Sequence, residues 1–273
     1  MSPRRLSIAD DGGTPPRAFP WAPGRAIHPA PMWPLLLDDH GQRRLLEGAL
    51  DRARALGDRG VLVFDLDSTV FDNRPRQARI FAELGDARGI VALQQIRPEH
   101  FTSWSLVAAM RRAGLDEPTL RELADEARAF WRERFFTSRY CHLDRAIAGA
   151  RAFLEAVVGS GAVVAYVTGR HIGMREGTVA AMAREGFPVP DGAKVQLLLK
   201  PSFEEDDDAW KLEAHALVAA LGEVVAVFDN EPAHLNGYAA RFPEALAVHL
   251  ATDHSERPIP LAPGLPSIRD FRR

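Results

Sequence analysis

Five short apolar runs constrain this chain more than any other feature: 61–66 (VLVFDL), 162–167 (AVVAYV), 195–199 (VQLLL), 224–228 (VVAVF) and 246–250 (LAVHL). Each is too short for a core helix and most are rich in β-branched residues, so each reads as a buried strand. Segments with helical periodicity lie between the later runs, over 174–186, 209–221 and 232–241, and another over 146–158 precedes the second run. Ahead of the first run, Leu45, Leu46, Ala49, Leu50, Ala53 and Leu56 fall on one helical face. Strands that alternate with helices predict a parallel sheet covered on both faces, an α/β fold. A chain of 273 residues is long enough for one such domain with an insertion.

The alternation is interrupted once. From Asn73 to Leu143 there is no clear strand, and Leu120, Leu123, Ala127, Phe130 and Trp131 recur at helical spacing after a start signal at Asp116-Glu117-Pro118. Phe101, Trp104, Val107, Ala108 and Met110 suggest a further helix. About 70 residues are too many for an ordinary loop, so 73–143 is expected to be an inserted helical cap, its aromatics forming the cap's own core. The expected core domain is then 35–72 together with 144–273. Residues 1–34 hold eight of the 20 prolines and show no periodicity; they read as a Pro-rich N-terminal arm. Phe19, Trp21, Met32 and Trp33 would pin that arm to the core or to another subunit, the latter giving a homo-oligomer.

Charge and cysteine content narrow the function classes. Lys+Arg 34 against Asp+Glu 37 leaves a net charge of −3, with no basic excess to mark a nucleic-acid binder or a polybasic membrane anchor. Cys141 is the only cysteine, and no apolar stretch approaches the roughly 20 residues needed to cross a bilayer. A soluble, cytoplasmic protein is expected.

In open α/β sheets ligands bind beyond the carboxyl ends of the strands. Asp65 and Asp67 follow the first strand, Thr168, Gly169 and Arg170 the second, and Asp229 the fourth; Lys211 opens the helix before the fourth. Along an extended chain residues i and i+2 share a side, so Asp65 and Asp67 converge if the strand persists, and two such carboxylates then need a shared proton or a cation. Taken singly, each element has a plainer reading: a helix-capping acid and a solvated one, a strand-ending turn at Thr168-Gly169, a surface lysine, and Asp229 capping the next helix. Asp208, at the end of the acidic run from Glu204, reads as a helix cap.

The order and spacing of these elements resemble the haloacid dehalogenase-like (HAD) hydrolase superfamily. Its Asp-x-Asp-x-Thr/Val motif is matched by "VLVFDLDSTV", its second motif by "AVVAYVTGR", its lysine by Lys211 and its acidic fourth motif by "VAVFDNE", over about Gly60 to Leu250. The resemblance implies a Rossmann-like sheet in strand order 5-4-1-2-3 with a cap between motifs one and two. It also implies a Mg2+ ion held by the Asp65 and Asp229 carboxylates and the backbone carbonyl of Asp67. Asp65 would be the nucleophile that forms an aspartyl-phosphate, and Asp67 the acid and base. Thr168, the Gly169 amide and Lys211 would hold phosphoryl oxygens. Relatives that cleave carbon–halogen bonds lack an acid at residue 67 and ATP-driven pumps carry Thr there, so Asp67 points to phosphate esters.

Two features depart from the pattern or leave it ambiguous. Asn230 follows Asp229 where a second acid is usual, and Ala233 and His234 occupy the later positions, so Asn230 or Glu231 would hold metal-bound water. Lys200, after the third strand, competes with Lys211 for the phosphate; Lys211 is preferred because it begins the helix leading into strand four. Arg170 either binds a substrate carboxylate or second phosphate, or pairs with a nearby acid. The expected function is a Mg2+-dependent phosphatase acting on a phosphorylated small molecule. A phosphotransferase or mutase uses the same nucleophile, and a non-catalytic binding protein on this fold is the rival from another class.

Overall fold

The computed structural model of the protein describes residues 35–255 and 257–273. The N-terminal arm expected over 1–34, with its role in oligomerisation, lies outside the described residues. The expected strands all form: β2 (Gly60–Phe64), β5 (Val163–His171), β6 (Val195–Lys200), β7 (Glu223–Asp229) and β8 (Leu246–Leu250). Two short edge strands, β1 (Leu35–Leu36) and β9 (Pro266–Ile268), extend the sheet beyond the five-strand expectation. The seven strands run in the order β1-β9-β8-β7-β2-β5-β6, so the order 5-4-1-2-3 is contained within a longer sheet. Every pairing in it is parallel.

Side chains alternate across this sheet with period two. Leu62 and Phe64 of β2 face α1 (Asp39–Leu56), α6 (Ala150–Gly159) and α7 (Arg175–Glu185), joining one core with Leu46, Leu50, Phe153, Leu154 and Met182. Val61 and Val63 face the other way, into a second core with Trp210, Ala214 and Val218 of α8 (Asp207–Leu221) and Leu235 and Tyr238 of α9 (Pro232–Arg241). Across the ladder Phe64 stacks on Phe228 of β7, with ring centroids 5.0 Å apart and planes 4° from parallel. Parity then decides where the site lies. Asp65 continues the face of Val61 and Val63, the face covered by α8, and so meets Lys211.

Between β2 and β5 the chain builds α2 (Arg74–Arg88), α3 (Val91–Gln94), α4 (Leu106–Arg112) and α5 (Glu117–Phe135). They share a core of Phe81, Leu84, Leu93, Met110, Leu120 and Leu123. Gly85 lets α2 and α3 touch: a Cβ there would stand 2.4 Å from the Gln94 amide nitrogen. The two ends of this segment are joined by an antiparallel pair, β3 (Phe71–Asp72) with β4 (Arg145–Ala146). Residues 101–105 are not helical; the helix expected across Phe101–Met110 begins only at Leu106, where the Ser105 side chain accepts from the Ala108 amide. Among the described residues no helix is long and apolar enough to cross a membrane.

Candidate active site

β2 ends at Phe64, earlier than the apolar run does. The Asp65 amide still bonds the Phe228 carbonyl at 2.9 Å, but the chain then curls. The Leu66 carbonyl accepts the amides of Thr69, Val70 and Phe71, and Ser68 takes φ of 60°. This turn places the Asp65 and Asp67 carboxylates against different protein partners.

Asp65 Oδ1 accepts from Lys211 Nζ at 2.7 Å. The same ammonium donates to Asp229 Oδ2 at 3.0 Å and to the Val167 carbonyl at 2.9 Å, which uses all three of its donors. Asp65 Oδ2 has no hydrogen-bond partner among the described residues. Burial pushes the Asp65 carboxyl up to about 7; Lys211 opposes the rise and Asp229 adds to it. The ammonium of Lys211 is also buried, but Asp229 and Asp65 outweigh that cost and hold its pKa above the usual lysine value. Lys211 is placed by its own helix. Asp206, rather than Asp208, caps α8 by accepting from the Ala209 amide, and the Trp210 indole donates to the Thr168 carbonyl at 2.9 Å. With three consecutive aspartates in the sequence, composition did not distinguish the cap. Lys200 is elsewhere: its Nζ is held by Asp207 at 2.6 Å and by the Glu205 carbonyl.

Asp67 is clamped by arginine. Arg170 donates from Nη2 to Oδ1 at 2.5 Å and from Nε to Oδ2 at 3.0 Å; Arg76 of α2 reaches Oδ1 at 3.0 Å and Asn73 at 3.1 Å. Both arginines also bind Asp144, which is fully buried, Arg76 through two bonds of 2.8 Å. Burial alone would raise the Asp67 carboxyl, but the two guanidinium groups overcome it and hold it well below the usual carboxylate range. Arg170 therefore takes the structural alternative, as an ion-pair partner of acids. Arg76 and Asp144 escaped sequence reasoning, since Arg76 and Asp144 lie 68 residues apart and nothing local marks either as buried.

Thr168 and Gly169 lie inside β5, not in a turn after it. The β5–β6 register slips between Thr168 and His171, which releases Gly169 and Arg170 from the ladder. Thr168 Oγ1 accepts the Arg170 amide at 3.2 Å. A Cβ on Gly169 would stand 3.1 Å from the Asp207 carboxylate. Asp229 Oδ1 accepts the Glu231 amide at 2.8 Å. Asn230 is committed elsewhere, accepting from Thr69 Oγ1 at 3.0 Å and donating to the Asp253 carbonyl. Glu231 bonds Ser255 and, at 3.1 Å, Arg257. Among the described residues no three His, Cys, Asp or Glu side chains are grouped as a metal site.

Asp65, Asp67, Thr168, Gly169, Lys211 and Asp229 all line one cavity of about 300 Å3 at the carboxyl end of the sheet. Its far wall comes from the helical insertion, where Trp104, Phe135 and Phe136 face the same space. The aromatics expected to form only cap core thus divide between that core and the cavity.

Neither a family profile nor a curated protein sequence matches the chain. Solved structures do. A candidate phosphatase from Clostridium difficile superposes with a TM-score of 0.50 at 11% identity, covering 77% of this chain and 94% of that one. A class C acid phosphatase from Bacillus anthracis with tungstate bound gives a TM-score of 0.43 at 17% identity over 78% of each chain. A haloacid dehalogenase-like family hydrolase from Streptococcus pneumoniae gives 0.44 at 11% identity, over 76% of this chain and 92% of that one. At such identities the likeness is one of architecture. With its parallel α/β sheet, the chain shares the fold of the candidate phosphatase from Clostridium difficile.

Proposed function

We propose that the protein is a phosphatase that hydrolyses a phosphate monoester through an aspartyl-phosphate on Asp65. One observation carries this reading: a buried carboxylate at the end of the central strand has one oxygen anchored by Lys211 and the other unengaged, and it lines a cavity. In the proposed reaction Asp65 attacks phosphorus, the ester oxygen departs, and water then cleaves the acyl-phosphate bond. Thr168, the Gly169 amide and Lys211 hold phosphoryl oxygens, Lys211 exchanging one of its protein contacts for the substrate. Asp67 is assigned as the proton acceptor of the second step, in which water loses a proton; the two arginines keep it ionised and also lower its basicity. Its role as donor in the first step is the weaker half in this chain, and turnover should therefore favour acidic leaving groups.

The donor set fits a divalent cation. Asp65 and Asp229, two buried carboxylates, share one ammonium, and Asp65 keeps one oxygen without a protein partner. Hard cations such as Mg2+ take oxygen ligands and keep several waters, so two carboxylates and a carbonyl suffice. We assign Asp65, Asp229 and the backbone carbonyl of Asp67 as its ligands. When bound, Mg2+ supplies the positive charge that lets an anionic nucleophile meet an anionic phosphate. Asn230 or Glu231 would hold metal-bound water; the Asn230 side chain also bonds Thr69, and that of Glu231 bonds Ser255 and Arg257. We further assign 73–143 as the cap and 35–72 with 144–273 as the core domain.

Turnover of p-nitrophenyl phosphate, with Mg2+ and then with excess EDTA, tests the reading. Metal-dependent release of phosphate is expected. Binding of phosphate esters without turnover would instead favour a binding protein on this fold.

A further inference from the structure

Beyond its phosphoryl-binding floor, the cavity has two walls of opposite chemistry. On the cap side Trp104, Phe135 and Phe136 present an aromatic surface. It is rigid: Phe135 stacks on Trp131 at 4.6 Å, Trp104 packs edge-on to Phe135 at 5.7 Å, and Phe136 is edge-on to both Phe135 and Trp131. Trp104 is also tied to the core, its indole donating to the Asp253 carbonyl at 3.2 Å, the same carbonyl that receives Asn230. The aromatic wall is thereby fixed beside the strand end that carries Asp229.

The rest of the lining is acidic. Asp206, Asp207, Asp208 and Glu231 line the cavity; Arg257 pairs with Asp208 and Glu231, His234 bonds Asp208, and Lys200, outside the lining, pairs with Asp207. A second anionic group on a substrate would meet four carboxylates sharing fewer full cations than their own number, whereas a neutral or cationic group would not be opposed by that excess. The cavity of about 300 Å3 is at the small end for ligand sites, roughly 300–1,000 Å3 in general, and so takes a single ring rather than a nucleotide.

We infer that the site is built for the phosphate monoester of a small aromatic alcohol or phenol whose remaining substituent is neutral or cationic, with the ring against Trp104 and Phe136. This rests on the phosphatase reading above and names the substrate class for it. Aromatic walls hold rings through offset and edge-on contacts that an aliphatic group cannot reproduce. Phosphorylated carboxylates and bisphosphates are correspondingly excluded by the acidic rim.

Two aryl phosphates test the inference: tyramine phosphate and the phosphate of 3-(4-hydroxyphenyl)propionate. Their phenol oxygens are alike as leaving groups, and their far ends carry opposite charges. Acetyl phosphate, which has no ring, serves as reference. The expected kcat/KM for the tyramine ester exceeds that for the propionate ester by about fivefold or more at low salt, and added salt narrows the gap. Trp104→Ala should lower the ratio of kcat/KM for tyramine phosphate over acetyl phosphate by roughly tenfold. Phe136→Ala, which removes no hydrogen bond, should lower the same ratio if Trp104→Ala fails to fold. Equal kcat/KM for the two aryl esters, or ratios unmoved by both substitutions, would overturn the inference while leaving the phosphatase reading in place. Failure to turn over any of the three compounds, the two esters and the acyl phosphate, would overturn both.

Discussion

Asp65 and Asp67 are separated by one residue and occupy opposite electrostatic settings. Around Asp65, two buried carboxylates share one ammonium; around Asp67, two buried carboxylates face two guanidinium groups. In the first setting burial lifts the Asp65 carboxyl to about 7 with Lys211 opposing the rise; in the second the two guanidinium groups outweigh burial and hold the Asp67 carboxyl well below its usual range. The same segment of chain thus provides one carboxylate with an oxygen left unengaged, the proposed nucleophile, and another held ionised in an ion-pair cluster that also ties the structure together. The Asp67 cluster joins α2, the end of α5 through the Phe135 carbonyl, the segment before β4 and the end of β5. It therefore fastens both ends of the helical insertion to the motif that carries the proposed nucleophile.

The largest expected effect breaks the reactive side. Asp65→Asn keeps the shape and removes the nucleophile, so phosphatase turnover should fall by roughly 10⁴-fold or more, with the circular dichroism spectrum retained. Breaking the structural side should act on stability. Arg76→Met strands Asp67 and Asp144 with one guanidinium between them. Removing one member of a buried ion pair costs about 3–5 kcal/mol, readable as a lowered urea midpoint. Asp65→Asn should not lower that midpoint comparably, because it relieves a buried charge rather than orphaning one.

Lysine substitutions sharpen the contrast. Lys211→Ala should reduce turnover by roughly 10²- to 10³-fold, the scale for losing one donor at a developing charge. Lys200→Ala, whose partner Asp207 is half exposed, should change it by only about twofold. The reverse ranking at saturating Mg2+ would move the phosphate lysine to the end of β6.

The smallest effect concerns pH. His249 of β8 is buried, its Nε2 on the Asn230 carbonyl and its Nδ1 on Ser267 Oγ, and burial lowers its pKa. A His held neutral stabilises the fold fully above its unfolded pKa, about 6.5, and that contribution is lost as pH falls from there toward the lowered folded value. The urea midpoint should therefore drop between pH 7.5 and pH 5.5, and drop less in His249→Gln. Equal losses in both proteins would assign the pH dependence to other groups.

Most of the sheet was legible because each long strand is a short, mostly apolar run, and buried parallel strands tolerate little else. The edge strands were not, since Leu35–Leu36 and Pro266–Ile268 are too short to carry a period. Helix α2 was hidden for another reason: its buried face includes Arg76 and Gln77, so hydrophobic periodicity understates it. At the site, the residues that follow strand ends could be read from the chain, and they line one cavity. What they bond to could not. The Asp67–Arg170 pair spans 103 residues, and the turn at Ser68 that separates the two acids depends on one backbone angle. The aromatic wall was ambiguous because Phe135 serves core and cavity at once.

The central claim is that Asp65, and not Asp67, becomes phosphorylated. Acid quenching during turnover, borohydride reduction and mass spectrometry of the peptide bearing both acids tests it directly, because an acyl-phosphate is reduced and a free carboxylate is not. The account predicts reduction at residue 65 alone, abolished in Asp65→Asn. Phosphate release with residue 65 unreduced, or reduction at residue 67, would contradict it.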